Sequence, residues 1–171
     1  MPTLSLADVD ALVAEAHAGQ FDKVGVPYIE HVRAVAAGVA PFGVGLRMAG
    51  LLHDVLEDTP VTADDLLRAG VPFSVVATVR RVTRVPGVGY PEMLRQVVTD
   101  QAATLLKIAD NAHNSHPARA AALTEADRER LSERYRSARA VLWPAAAAED
   151  VRTVLELVNP SLLPDLAARA R

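Results

Sequence analysis

Residues 46–60 place four ionisable side chains directly behind an apolar run. The apolar run is typical of a buried helix, and the polar residues that follow it are His53, Asp54, Glu57 and Asp58. On one helix, Asp54 shares a face with Glu57 and Asp58. Because buried charge is unfavourable without a partner, the group needs a cation or protons. A divalent metal held by His53 and Asp54 meets that need most simply.

The alternative interpretation is an acidic helix end followed by a turn at residues 58–60. Acidic side chains at a helix C-terminus are opposed by the helix dipole, so this alternative explains the placement poorly. We therefore expect a metal site here, with Glu57 and Asp58 left to move protons.

The amino-acid composition limits the fold class, the kind of partner and the kind of metal ligand. The chain has 171 residues, enough for one domain, and it is 50% hydrophobic but only 4% aromatic, which favours an all-α protein with small-residue packing. A net charge of −3 provides no basic surplus for nucleic acid. Without cysteine, a metal must be bound by histidine and carboxylate. Neither a signal peptide nor an apolar window of about 20 residues is present, so we expect a cytoplasmic protein that does not span a membrane.

Helical patterns account for nearly the whole chain. Ser5, Thr62, Asp100 and Thr124 are predicted N-caps, and Pro27 is predicted at the first position of a helix. The predicted helices cover about residues 6–17, 27–39, 44–56, 63–69, 74–82, 90–98, 101–114 and 125–142, followed by a C-terminal helix from 145 and a short last one towards 171. No internal repeat or linker divides the chain.

A second polar cluster lies in the predicted helix 101–114, near its C-terminal end. Lys107 and Asp110 are helical neighbours, and so are Asp110 and Asn114. A buried ion pair between Lys107 and Asp110 would suit any function, but it leaves His113 and Asn114 unexplained.

The segments 16–20, 27–31, 51–59 and 106–114 together resemble the HD superfamily of metal-dependent phosphohydrolases. They are similar in particular to the hydrolase domain of the RelA/SpoT family and to its small stand-alone relatives. The resemblance covers about residues 5–142. It implies an all-α HD-domain helical bundle in a single domain over residues 1–144, with residues 145–171 as a helical extension packed on it.

The resemblance also implies roles for individual residues. One metal, usually manganese (Mn²⁺) in this branch, would be held by His31, His53, Asp54 and Asp110. Glu57 and Asp58 match a catalytic pair that acts on the attacking water. The candidate substrate-binding residues are Lys23, Tyr28, Asn114 and Tyr135.

Asp22 departs from the family pattern, which has an adjacent basic pair here. In the alarmone hydrolases the first basic side chain packs against the guanine base. We expect Asp22 to be exposed at the substrate mouth and to repel a phosphorylated ligand.

The preferred hypothesis is an Mn²⁺-dependent phosphohydrolase acting on a guanosine 3′-pyrophosphate of the (p)ppGpp type. A nucleotidase that removes a simple monophosphate is the alternative enzyme. An inactive nucleotide-binding HD module is favoured by Asp22, but the four retained metal ligands and the pair Glu57–Asp58 oppose it. In each case the expected partner is a nucleotide or another phosphorylated metabolite.

Overall fold

Helices form every regular element of residues 4–169, the part of the chain that the computed structural model describes. The α-helices are α1 (Leu6–Ala16), α2 (Tyr28–Gly38), α3 (Val44–Leu52), α4 (Val55–Asp58), α5 (Ala63–Ala69), α6 (Phe73–Val82), α7 (Tyr90–Val97), α8 (Gln101–Asn114), α9 (Pro117–Ala121), α10 (Glu125–Leu142), α11 (Ala148–Val158) and α12 (Leu163–Arg169). Short 3₁₀ helices cover Ala40–Phe42, Trp143–Ala145 and Pro160–Leu162. The all-α prediction is confirmed. Within these residues, no helix combines the length and the apolar character needed to cross a membrane.

Side-chain caps set four of the predicted helix starts. The four predicted caps all accept a hydrogen bond from a backbone N–H in the first turn: Ser5, Thr62, Asp100 and Thr124. Such a cap typically contributes about 1 kcal/mol. Pro27 is the N-cap of α2 and not its first residue, so that helix begins one position later than predicted.

The prediction of one continuous helix over residues 44–56 is wrong. α3 ends at Leu52, a turn follows at His53 and Asp54, and α4 begins a new helical turn. The carbonyl of Asp54 accepts hydrogen bonds from the N–H groups of Glu57 and Asp58, at 3.1 and 2.9 Å. Both acids therefore lie in a first turn, where the helix dipole does not oppose them. The helix dipole thus gives no support for a metal here, and what supports a metal site is the geometry of the side chains.

The core is centred on α8, which packs against α2, α6, α10 and α11. The C-terminal helix α11 adds Val151, Val154 and Leu155 to the same buried cluster. The fully buried Asn159 donates a hydrogen bond of 2.9 Å to the carbonyl of Ala112 in α8. These contacts attach the C-terminal segment to the core, while the boundary between residues 144 and 145 stays a prediction.

α2 and α3 approach each other closely at Gly50. A Cβ atom at Gly50 would lie only 2.6 Å from the Cα atom of Ala36. The same pair of helices brings the rings of His31 and His53 to a centroid separation of 5.2 Å. The glycine therefore permits the packing that places two candidate ligands together.

We expect Gly50→Ala to lower the free energy of unfolding by about 1–3 kcal/mol, because the added methyl group has no space against the backbone of Ala36. Gly45→Ala in the same helix is the matched control, since the nearest atom to its Cβ is 3.8 Å away. Alanine there should leave stability unchanged or raise it by up to about 1 kcal/mol. Urea denaturation of both variants measures the difference, and equal stability would contradict the close approach.

Candidate active site

The four predicted metal ligands converge from three parts of the fold. His31 comes from α2, His53 and Asp54 from the turn after α3, and Asp110 from α8. Asp54 Oδ2 lies 3.5 Å from His31 Nε2 and 2.9 Å from His53 Nε2. Asp110 Oδ1 lies 3.5 and 3.9 Å from the same two nitrogen atoms. His31, His53 and Asp54 offer ligand atoms that all lie within 4.8 Å of one another, so this cluster can hold a metal ion.

His53 shows that the cluster suits a cation. Its Nδ1 lies 2.8 Å from the carbonyl oxygen of Gly50, which can only accept, so Nδ1 carries the proton. In the neutral ring, Nε2 is then a bare acceptor that is buried and has no hydrogen-bond partner within residues 4–169. It faces a carboxylate oxygen of Asp54, which is also an acceptor. A cation between the two removes this repulsion, and imidazole with carboxylate is a common donor set for divalent metals.

His31 is oriented by a second histidine. Its Nδ1 lies 2.7 Å from Nδ1 of His113. Burial disfavours charge on His31, but the carboxylates of Asp110 and Asp54 outweigh it and raise the pKa of His31 to about 9. Burial and the neighbouring His31 lower the pKa of His113 to about 3. His113 therefore stays neutral and accepts the proton of His31 Nδ1, which turns His31 Nε2 towards the carboxylates.

Three further polar contacts fix the two aspartates. The hydroxyl of Tyr28 donates to Asp54 Oδ2 at 2.6 Å. The predicted ion pair is present, with Lys107 Nζ 2.7 Å from Asp110 Oδ2, and Asn114 donates to Asp110 Oδ1. Burial favours a raised pKa for Asp110, but the Lys107 ammonium outweighs it and holds that pKa below its ordinary range. Tyr28 and Asn114, which were expected to contact substrate, thus also hold the carboxylates in place.

A cavity of about 540 Å³ opens beside this cluster. All four candidate substrate-binding residues line it: Lys23, Tyr28, Asn114 and Tyr135. Its basic lining residues are Lys23, Arg84, Lys107, Arg119 and Arg134. The guanidinium of Arg134 lies 4.2 Å from the centroid of the Tyr90 ring. The cavity therefore combines an acidic cluster at one end with cations spread around the rest of its wall.

Glu57 and Asp58 both line the cavity but differ in their contacts. Glu57 accepts a hydrogen bond of 3.2 Å from the backbone N–H of Arg84 and lies 3.3 Å from its Nε atom. The carboxylate of Asp58 has no hydrogen bond to residues 4–169, although its main-chain carbonyl accepts one from Gln20. Asp58 is thus the carboxylate of the pair that is available to accept a proton.

The expectation of an exposed, repelling Asp22 is wrong. Its side chain is only 2% exposed, and its Oδ1 accepts hydrogen bonds of 2.9 Å from the N–H groups of Val24 and Val26. Its Oδ2 forms an ion pair with Arg119 of α9. Burial favours a raised pKa for Asp22, but the N–H groups and Arg119 outweigh it and lower that pKa. Asp22 organises a turn and holds Arg119 at the cavity wall.

Sequence reasoning missed Arg119 and Arg84. Arg119 lies in the five-residue helix α9, and Pro117 at its first turn was the only signal for that helix. Its partner Asp22 lies 97 positions away, so no local pattern could pair them. Arg84 lies in the loop after α6, where no helical pattern indicated which way it points.

Known proteins support the likeness seen in the motifs. The guanosine-3′,5′-bis(diphosphate) 3′-pyrophosphohydrolase of Haemophilus influenzae is 34% identical over 116 residues, which are 60% of this chain and 17% of that one. The bifunctional (p)ppGpp synthase/hydrolase SpoT of Escherichia coli is 35% identical over 112 residues, 58% of this chain and 16% of that one. The chain thus spans about a sixth of the length of these curated relatives. No protein-family model matches it.

A solved structure matches nearly the whole fold. It is described as a metazoan ortholog of SpoT that hydrolyzes ppGpp, with a TM-score of 0.72 and 23% identity, and the match covers 94% of this chain and 97% of that one. The resemblance to the RelA/SpoT hydrolase domain is confirmed. The HD-domain helical fold expected from it is confirmed as well.

We expect Asp54→Ala to abolish metal binding, because its carboxylate completes the close cluster with His31 and His53. His113→Gln should weaken binding by about 10–100-fold, the usual effect of losing a group that orients a ligand. Asp58→Asn, whose carboxylate is not in the cluster, is the control that keeps metal. Metal analysis after equilibrium dialysis measures all three, and stoichiometric metal in Asp54→Ala would refute the site.

For the contact between Asp22 and Arg119, we expect a coupling free energy of about 1–2 kcal/mol in a double-mutant cycle of Asp22→Asn and Arg119→Gln. Asparagine keeps an oxygen for the N–H groups of Val24 and Val26, so the cycle isolates the ion pair. Urea denaturation of the wild type, both single variants and the double variant gives the coupling. Additive effects, within about 0.3 kcal/mol, would show that Asp22 does not hold Arg119.

Proposed function

We propose that the chain is an Mn²⁺-dependent hydrolase that releases pyrophosphate from the 3′ position of a guanosine nucleotide of the (p)ppGpp type. The observation that carries the proposal is the His–Asp cluster at one end of a cation-lined cavity, with the unbonded carboxylate of Asp58 beside it. The curated relatives named above, whose names describe this reaction, support the choice of substrate.

His31, His53, Asp54 and Asp110 are the proposed metal ligands. A divalent metal there supplies a Lewis acid for a phosphoryl oxygen and lowers the pKa of water. Two carboxylates and two imidazoles suit manganese, which accepts oxygen-rich donor sets. The buried Nε2 of His53, which has no hydrogen-bond partner in the described part of the chain, is the feature that supports such a group.

The cationic wall is the proposed binding surface for the phosphates. Guanidinium groups form bidentate hydrogen bonds with phosphate oxygens. Arg119 is held by Asp22 and Arg84 by Glu57, so both are positioned before a ligand arrives. Arg134 packs against the face of Tyr90 and has a buried Nε that bonds to no other atom among residues 4–169. We propose that these three arginines, with Lys23, compensate the charge of the nucleotide.

Asp58 is the proposed general base. Water attacks the phosphorus bonded to the 3′ oxygen, the bond between that phosphorus and the 3′ oxygen breaks, and the 3′ oxygen takes up a proton from solvent to become the nucleoside hydroxyl as pyrophosphate is released. The proton lost by the water passes to Asp58, whose carboxylate has no competing hydrogen bond within residues 4–169. Glu57 acts through Arg84, so we assign it a positioning role in place of a second base.

The inactive binding module loses its main support. It rested on an exposed acid at the cavity mouth, and Asp22 is instead buried and paired with a cation. The volume of about 540 Å³ also leaves space for a whole nucleotide.

The deciding experiment is a nucleotide panel with Mn²⁺, in which guanosine 3′,5′-bis(diphosphate), GDP and guanosine monophosphates are incubated with the protein. We expect pyrophosphate from the 3′-diphosphate substrate alone. Asp58→Asn should retain metal but lose about 10²–10⁴ in kcat, the usual contribution of a general base. Glu57→Gln should lose less.

Other outcomes would assign the function differently. Phosphate released from a monophosphate, with no turnover of the 3′-diphosphate, would establish the nucleotidase alternative. Tight binding of the bis(diphosphate) without turnover of any nucleotide over hours would favour the inactive module.

A further inference from the structure

A second, smaller cavity lies behind one wall of the active-site cavity. Its volume is about 150 Å³, enough for a phosphate or diphosphate group but too small for a nucleotide. Four residues line both cavities: Asn114, Leu123, Leu131 and Tyr135. The remaining polar lining comes from Ser115, Arg128, Ser132, Arg136 and Arg139. None of these five has a role in the reaction proposed above.

Arg139 of α10 is the unusual residue of this cavity. It is only 8% exposed, yet its guanidinium donates just one hydrogen bond to residues 4–169, from Nη1 to Ser115 Oγ at 3.1 Å. No aspartate or glutamate of that range forms an ion pair with it. The face of Trp143 lies 5.7 Å away and contributes a weak cation–π attraction, but no counter-charge.

The other two arginines of the cavity do have partners. Arg128 donates to the carbonyl oxygens of Ala120 and Leu123, at 3.1 and 3.2 Å. Arg136 forms an ion pair of 2.9 Å with Glu133. Among residues 4–169, the cavity lining contains three arginines and no aspartate or glutamate, so its wall carries an excess of positive charge. Burial lowers the pKa of Arg139, the negative charge of nearby Asp165 raises it, and Arg136 and Arg169 lower it, so Asp165 compensates only part of the local positive charge.

We propose that this second cavity is a binding site for one phosphate-class anion, held by the guanidinium of Arg139 and the hydroxyl group of Ser132. A tetrahedral oxyanion supplies acceptors for the guanidinium N–H groups that donate to no atom of residues 4–169. Ser132 can donate to a further oxygen, while Ser115 donates to the carbonyl of Asn111 at 2.7 Å and positions Arg139 by accepting from it. The site stands apart from the proposed function, because it includes none of the metal ligands.

The position of the cavity connects it to the active site. Ser115 directly follows Asn114, which donates to the candidate ligand Asp110. Tyr135, in the shared wall, belongs to the same helix as Arg139. The bound anion is either a free phosphate or pyrophosphate, or the phosphate end of the nucleotide that is remote from the reacting bond. Both sources present the same chemistry to Arg139.

The test is a calorimetric titration of inorganic phosphate and of pyrophosphate into protein freed of metal with a chelator. We expect the wild type to contain an anion site whose affinity falls about tenfold or more in Arg139→Gln, as for a charge-assisted hydrogen bond. Ser115→Ala should weaken binding less. Arg130→Gln removes the same charge from an exposed position of α10, where the residue pairs with Asp127, and should bind as the wild type does. Arg119→Gln, in the active-site cavity, should also retain this site.

Two further measurements keep the test decisive. Circular dichroism shows whether Arg139→Gln is folded, and Arg139→Lys, which retains the charge and most of the stem, should recover part of the affinity. If the wild-type protein binds neither anion at millimolar concentration, the cavity resembles an anion site only by chance. Loss of binding in Arg119→Gln, with retention in Arg139→Gln, would place the anion in the active-site cavity. Either of these results overturns the proposal, whatever the nucleotide panel shows.

The kinetics then identify the source of the anion. If the nucleotide itself reaches Arg139, Arg139→Gln raises KM for a substrate with a 5′-diphosphate and leaves KM unchanged for the same 3′-diphosphate with a free 5′-hydroxyl. If free phosphate is the ligand, both substrates respond equally, and added phosphate changes the rate of the wild type but not that of Arg139→Gln.

Discussion

The negative charges of Asp54 and Asp110 are the constraint on which the centre of this fold depends. Both side chains are largely buried, and burial is unfavourable for a carboxylate unless positive charge lies close by. Lys107 neutralises one oxygen of Asp110, and the two imidazoles face the remaining oxygens. With His31 protonated, or with a metal between the donors, the cluster is compensated. The helices that carry these residues are therefore attached to one another through charge as well as through apolar contact.

Close backbone packing makes this charge cluster possible. Gly50 allows α3 to lie against Ala36 of α2, and its carbonyl fixes the proton of His53 on Nδ1. A single glycine thereby contributes to both the distance between the ligands and the tautomer of one of them. Core packing and ligand geometry are coupled at Gly50, so a substitution there would change the positions of the metal ligands as well as the stability.

In the cavity wall, Arg119 supplies a positive charge that the family pattern places at position 22. Asp22 replaces the first basic residue of the expected pair, and Arg119 of α9 provides a guanidinium that Asp22 itself holds. Asp22 also satisfies two backbone N–H groups of the turn over residues 22–26. Asp22 departs from the family pattern, but its ion pair with Arg119 keeps a cation in the cavity wall.

The sequence by itself determined what depends on neighbouring residues. Apolar periodicity predicted the helices, Ser5 and Asp100 predicted their starts, and the His53–Asp54 pair indicated a metal site, because capping and helical spacing act over three or four residues. The family resemblance added His31 and Asp110 to the predicted ligands. Only the tertiary structure decided the break after Leu52, the pairing of Asp22 with Arg119 and the position of the buried Arg139 in an arginine-lined cavity. These features depend on which side chains meet across the core, and burial and long-range ion pairing have no signature in a local pattern.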